Sequence, residues 1–311
     1  MINGILNIKK EKGYTSHDVV ARLRGIVQQK KIGHTGTLDP DAEGVLPVCL
    51  GKATKLCDML GEWDKTYRAT MLLGKTTDTE DISGAVLEER EVTAKEEEIR
   101  EIIHSFVGDY AQIPPMYSAK KINGKKLYEL AREGIVIERK PCSVRIHSIT
   151  IEEIALPHVT FTVHCSKGTY IRSLCRDIGE KAGCGACMTS LVRTEVAFFH
   201  LKDAITLSEA EKLRDEGTLS EKIIPVDAVF SDFPKLFVGE QGEKKLYNGN
   251  PVPLRFCEGE KPEGRGPCRV YDRKKGFVGI YDINIRTKEL IPQKLFFILS
   301  EENSSPEKHE R

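Results

Sequence analysis

Residues 33–48 read GHTGTLDPDAEGVLPV, and they limit the fold more than any other stretch of the chain. Gly33, Gly36, Gly44 and Pro40 argue against a helix or an interior strand. The stretch is also too poor in Ser, Lys and Gln to act as a flexible linker. Its glycines allow turns that a side chain forbids, and Pro40 restricts Asp39 to an extended backbone. One carboxylate is therefore held on a stiff turn, with the apolar run Val45–Leu50 expected to enter the core behind it as a strand. Catalytic groups are commonly mounted this way, on a loop carried by a rigid scaffold. The competing reading is an Asp-Pro-Asp turn with no further role.

Around this loop the sequence mixes strand and helix patterns. Residues 3–9 predict a strand. A helix follows with Val19, Val20, Leu23, Ile26 and Val27 on one face, capped by Ser16 or Asp18. A short helix is expected from Ala53 to Leu60, and a strand over 66–73 with Tyr67 and Arg68 at its start. TTDTED (76–81) reads as a solvated acidic turn. Thr93 and Glu96 form a capping-box pattern ahead of Ile99, Ile102, Ile103 and Phe106. Strands over 144–153 and 159–165 lead into SKGTYIRSLCRDIGEKAG, a turn entering a helix with Arg172 in its first turn. Thr206 and Glu209 cap a further helix that stops near Gly217. Beyond Asp232, short strands alternate with turns at Asn248-Gly249, Gly264, Gly266 and Gly276, the pattern of a small all-β domain of about 65 residues.

Residues 111–143 differ in character. After Pro114-Pro115 they carry Lys120, Lys121, Lys125, Lys126, Arg132, Arg139 and Lys140, with Tyr117 and Tyr128 interleaved. The chain has 47 basic and 47 acidic residues, so a polyanion must be held by local patches such as this one. Nine scattered cysteines form no secreted-domain framework and fit a reducing cytoplasm. With no signal peptide and no apolar run near the roughly 18 residues of a membrane span, a cytoplasmic location without membrane contact is expected.

Cofactor motifs fail on their details. GKATKL (51–56) lacks the first glycine of a phosphate loop, and Ala53 stands where Ser or Thr meets magnesium. GCGAC (183–187) is followed by Met188 where a dinucleotide fingerprint needs its third glycine. Cys184 and Cys187 make a lone C-x-x-C, and Asp78, Glu80 and Asp81 have no companion ligand cluster. No metal and no cofactor is expected, so the chemistry falls to side chains.

Four blocks in order, GHTGTLDPDAEGVLPVCLGKATK, DKTYRA, QIPPMYSAKKINGKKLYELAREG and CSKGTYIRSLCRDIGEKAGCGA, resemble the TruB family of bacterial tRNA pseudouridine-55 synthases. The resemblance is close over about residues 3–200, and the C-terminal part resembles a PUA domain more loosely. It implies an isomerase that cuts the N1–C1′ bond of a uridine in the tRNA T-loop, turns the uracil and joins C5 to C1′, without oxidation or cofactor. By position, Asp39 matches the family's essential aspartate, Tyr67 the aromatic that packs on the target base, and Arg172 the arginine paired with the aspartate; these three are the catalytic candidates, with Tyr67 also the candidate base for the C5 proton. Leu191 matches an apolar pocket-wall residue, and His34 the histidine inserted where the flipped base had stacked. Lys10, Tyr170, Lys125, Lys126 and Arg132 are placed with His34 and Leu191 among the RNA-binding residues. Without the resemblance, His34 reads as a hydrogen-bonding loop histidine, Arg172 as a surface helix arginine and Tyr67 as a strand-core aromatic.

The resemblance also implies the architecture: an α+β pseudouridine synthase fold with a mixed, largely antiparallel sheet and a central cleft. Residues 1–232 form the catalytic domain, 111–143 its thumb insertion, 233–299 a small all-β PUA-like domain, and 300–311 a disordered tail. The expected partner is the tRNA T-stem-loop, bound by a monomer. Glu11, Val192 and Ala197 depart from the family's pattern, where proline, arginine and glycine are usual, which loosens the assignment of Lys10 and of the pocket wall. Two other readings stay open: a guide-RNA-dependent synthase resembling dyskerin, which lacks the thumb, and a tRNA-folding chaperone with secondary catalysis.

Overall fold

The computed structural model describes residues 1–122, 124–259 and 266–296. The expected tail, residues 300–311, and Gly264 lie outside the described residues. The chain forms two compact units, one of residues 6–48 and 56–221, the other of residues 1–5, 49–55 and 222 onward.

The larger unit holds most of a nine-stranded sheet. Its main path runs Gly4–Lys10, Glu43–Leu50, Ala186–Val196, Lys65–Leu73, His158–Cys165, Cys142–Ala155, Gly108–Gln112. The four pairings from Ala186–Val196 to Gly108–Gln112 are antiparallel. The Ala186–Val196 and Glu43–Leu50 strands pair in parallel, with Arg193 opposite Gly44. The sheet is thus mixed and largely antiparallel.

The strand Lys65–Leu73 shows why the chain pairs here. Its residues alternate, with Lys65, Tyr67, Ala69, Met71 and Leu73 buried and the intervening ones more exposed, as a strand with one core-facing side requires. Helix Ile171–Lys181 covers that side with Ile171, Leu174, Cys175 and Ile178. Gly179 is needed in this packing, because a Cβ there would lie 2.2 Å from the Ala186 nitrogen.

Several caps differ from expectation. Helix Ser16–Ile26 is capped by Thr15, which makes a capping box with Asp18. The box needs its acidic partner three residues after the cap, which shifts the start by one residue from Ser16. Residues 51–61 form a 3-10 turn and a five-residue helix in place of the single expected helix. Helix Glu96–His104 begins after Lys95 and has no side-chain cap, so Thr93 does not serve. Thr206 and Glu209 form their box as expected.

The smaller unit holds a six-stranded sheet around Leu236, Val238, Leu246, Val270, Tyr281 and Leu290. It is not purely β: helix Glu240–Tyr247 packs Leu246 into this core. Within it, Arg273 pairs with Glu240 at 3.3 Å and with Glu243 at 3.4 Å. Among the described residues no helix is long and apolar enough to cross a membrane.

Candidate active site

The Asp39 loop joins the short strand Ile32–His34 to Glu43–Leu50 and is fastened from several sides. Ser16 Oγ accepts from the Leu38 amide at 3.0 Å, and Pro40 O accepts from the Gly13 amide at 2.9 Å. Lys10 is fully buried, and its ammonium donates to Glu11 O (3.1 Å), Pro40 O (3.1 Å) and Ala42 O (2.6 Å). Lys10, expected among the RNA-binding residues, is held within the protein. All three of its donors are spent on carbonyls, two of them in the Asp39 loop, and none reaches solvent. Burial pushes the ammonium down to about 8 against the opposing pull of Asp39.

Asp39 points its carboxylate at Arg172, with Oδ2 2.9 Å from Nη2. The Arg172 side chain is 7% exposed and that of Asp39 41%, so the cation is anchored while the anion is partly open to the cavity it lines. Arg172 also donates to Thr79 O (3.1 Å) and Tyr117 O (2.8 Å) and lies 3.6 Å from Asp81. Residues 76–81 are therefore not a solvated turn. Glu80 is buried, accepts from Ser173 Oγ at 2.6 Å and pairs with Arg176. The turn orients Arg172, and Arg172 orients Asp39. Burial raises the Asp39 carboxyl above the ordinary aspartate value, and Arg172 opposes that rise.

Tyr67 stands opposite Arg193 in the antiparallel register, and Arg193 in turn faces Gly44 across the parallel pair. Arg193 is 1% exposed. It donates to Val45 O (2.7 Å), Gly36 O (3.3 Å) and the Tyr67 side chain. Only glycine fits at position 44, since a Cβ would come within 2.1 Å of Arg193 O and the φ of +113° is left-handed. Burial raises the Tyr67 phenol, with Arg193 pulling the other way.

These groups surround a cavity of about 460 Å³. Asp39, Tyr67, Tyr170, Arg172, Leu191 and Arg193 line it, with Lys65 and Lys120 adding positive charge. Its size is in the range of small-molecule sites. Tyr170 is fixed by a two-way bond with Gln112, which accepts from its amide at 2.8 Å and donates to its carbonyl at 3.0 Å. His34 is not among the lining residues. It is half-buried, edge-on to His17 with ring centroids 5.3 Å apart, and Nδ1 accepts from the Gly36 amide at 3.4 Å. Burial and His17 hold His34 below the usual histidine value, which favours the neutral ring.

Lys125 and Arg132 are exposed and Lys126 is partly buried. Lys126 and Arg132 lie over the Tyr128 ring at 5.3 and 5.4 Å. A small apolar cluster of Met116, Leu127 and Leu130 supports this segment. The described His/Asp group with metal-ligand spacing consists of Asp64, His147 and His164, none of which lines the cavity. Arg193, Lys65 and Asp81 are the residues that sequence reasoning missed. Their signal was only proximity, Arg193 lying two residues after Leu191 and Lys65 two before Tyr67.

Residues 24–171 match the family model described as TruB family pseudouridylate synthase (N terminal domain). Residues 172–231 match one described as tRNA pseudouridylate synthase B C-terminal domain. A tRNA pseudouridine synthase B of Lachnoclostridium phytofermentans is 52% identical over 306 residues, covering 95% of this chain and 100% of that protein. The namesake of Alkaliphilus oremlandii is 49% identical over 280 residues, covering 89% and 92%. Among solved structures, a chain of a Cbf5-Nop10-Gar1 complex superposes with a TM-score of 0.69 at 25% identity, covering 94% of this chain and 85% of that one. A chain of an H/ACA RNP bound to a substrate RNA containing 2′-deoxyuridine does so with 0.69 at 24%, covering 95% and 85%. These structural likenesses identify the pseudouridine synthase fold.

Proposed function

Because the chain belongs to the TruB family of pseudouridylate synthases, we propose that it converts uridine 55 in the T-loop of tRNA to pseudouridine, with Asp39 as its essential group. The observation that carries this reading is the partly exposed Asp39 carboxylate held 2.9 Å from a buried Arg172 on the wall of a cavity.

A uridine inside a folded RNA loop must be extruded before its glycosidic bond is reachable, at a cost of a few kcal/mol. Stacking on an aromatic ring returns about 1–3 kcal/mol per base. Tyr67 and Leu191 supply the apolar contacts for the extruded uracil, and His34 takes the place it leaves in the RNA. The Asp39 carboxylate then attacks a carbon of the substrate or takes a ribose proton to release uracil. Uracil turns, C5 bonds to C1′, and the C5 proton leaves to a base. Tyr67, which packs against the ring, is the candidate for that base, and burial raises its phenol. The basic segment 111–143 closes on the T-loop as a thumb, with Lys125, Lys126 and Arg132 meeting phosphates.

The guide-dependent alternative draws on structural neighbours at 24–25% identity, which speak to fold alone. The curated relatives at 52% and 49% identity carry the tRNA synthase name. Incubation of purified protein with unmodified tRNA, followed by chemical mapping of pseudouridine, tests the reading. A single modified uridine at position 55 is expected, and modification elsewhere or none overturns it.

A further inference from the structure

The Asp64, His147 and His164 side chains converge from three neighbouring strand segments. Their ligand atoms all lie within 4.8 Å of one another. Asp64 directly precedes the strand Lys65–Leu73, whose Thr66 is opposite His164. His147 belongs to the next strand and falls in a register shift between Ile146 and Ser148, so it is the extra residue of a β-bulge. A bulge re-aims the side chain it carries. Here the side chain comes to lie with Nε2 3.1 Å from Asp64 Oδ2 and its ring 4.7 Å from that of His164, tilted by 36°.

We infer that Asp64, His147 and His164 form a surface site for a divalent transition metal of the zinc class. Two imidazoles and one carboxylate are the donor set that suits zinc and its neighbours, whereas magnesium and calcium prefer oxygen ligands. Bonds of about 2.0–2.2 Å bring tetrahedral ligand atoms to roughly 3.3 Å apart, a closure that rotation of partly exposed side chains supplies. A simple ion pair accounts for Asp64 and His147 but not for the third ring placed against them. The metal joins three strand segments at the end that carries Tyr67. Its role is to staple that end of the sheet, outside the cavity, and it takes no part in the isomerisation.

The test uses full-length protein stripped with a chelator and titrated with Co²⁺ alone. The expected result is a visible absorption band that saturates at one equivalent and is displaced by Zn²⁺. The thermal midpoint should rise with Zn²⁺ concentration, because a ligand bound only by the folded state stabilises it. The His147→Ala/His164→Ala double variant should lose both responses while keeping its metal-free midpoint and its pseudouridine formation. Asp64→Asn, which keeps the side chain's shape, should weaken Co²⁺ binding at least tenfold, and this holds the test open if the double variant fails to fold. Absence of a one-equivalent signal in the native chain overturns the site. So does a signal that survives in the variants, which assigns it to the cysteines.

Discussion

Arg172 Nη2 lies 2.9 Å from Asp39 Oδ2, and the two groups differ sharply in exposure, 7% against 41%. The guanidinium is spoken for on every side by Thr79 O, Tyr117 O and Asp81. The carboxylate therefore remains the member of the pair that can meet a substrate. A structural ion pair has no need of this asymmetry, whereas a poised anion requires it.

That arrangement sets a pH dependence. If Asp39 acts as the proposed carboxylate, activity falls as pH drops through its value, which burial raises above that of an ordinary aspartate. Removing the opposing cation raises the value further. The acid limb of kcat/KM in Arg172→Met is expected at higher pH than in the native enzyme. Its kcat at neutral pH is expected to fall by about 100-fold or more, on the order of 2.7 kcal/mol of barrier. An acid limb that does not move would uncouple the two residues.

Lys10 separates two roles cleanly. As a phosphate contact, its removal would weaken tRNA binding and lower the salt slope by about one. As a buried clamp on the Asp39 loop, its removal should reduce kcat by about tenfold and leave tRNA affinity and salt slope unchanged. The second outcome is expected of Lys10→Met. There is also a stability signature. The folded-state value of about 8 lies below the ordinary lysine value of 10.5, so the unfolded chain binds more protons between these limits. The native chain's stability, measured against Lys10→Met by denaturant unfolding, should therefore rise as pH increases from about 8 to 10.5.

The thumb is tested by charge. Neutralising Lys125, Lys126 and Arg132 together to Gln should weaken tRNA binding and flatten its salt dependence by up to about 2–3 units of slope. Turnover at saturating tRNA should change far less. Unchanged affinity and slope would make the segment an ordinary solvated insertion.

The Asp39 loop was readable in the sequence because its constraint is local: three glycines and a proline fix its backbone whatever surrounds it. Arg172 was readable as the first turn of an amphipathic helix, and the resemblance supplied its partner. The internal partners of Lys10, Asp81 and Arg193 were missed for one shared reason. Sequence reasoning puts charged residues on the surface, where most of them are. These three are paid for by carbonyls and counter-charges contributed by distant segments, Lys10 by residues 40 and 42, Asp81 by residue 172, Arg193 by residues 36 and 45. Such partners exist only once the sheet has formed, and no local pattern announces them. The capping misreadings at Ser16 and Thr93 are of another kind, since neighbouring polar residues compete for one cap and geometry decides among them.

The most direct measurement is a single-turnover assay of Asp39→Asn with unmodified tRNA, read by mapping of pseudouridine alongside equilibrium tRNA binding. The substitution keeps shape and removes only the negative charge. Native-like binding with no pseudouridine at position 55 is the predicted result. Pseudouridine formed at the native rate would contradict the central role of this carboxylate.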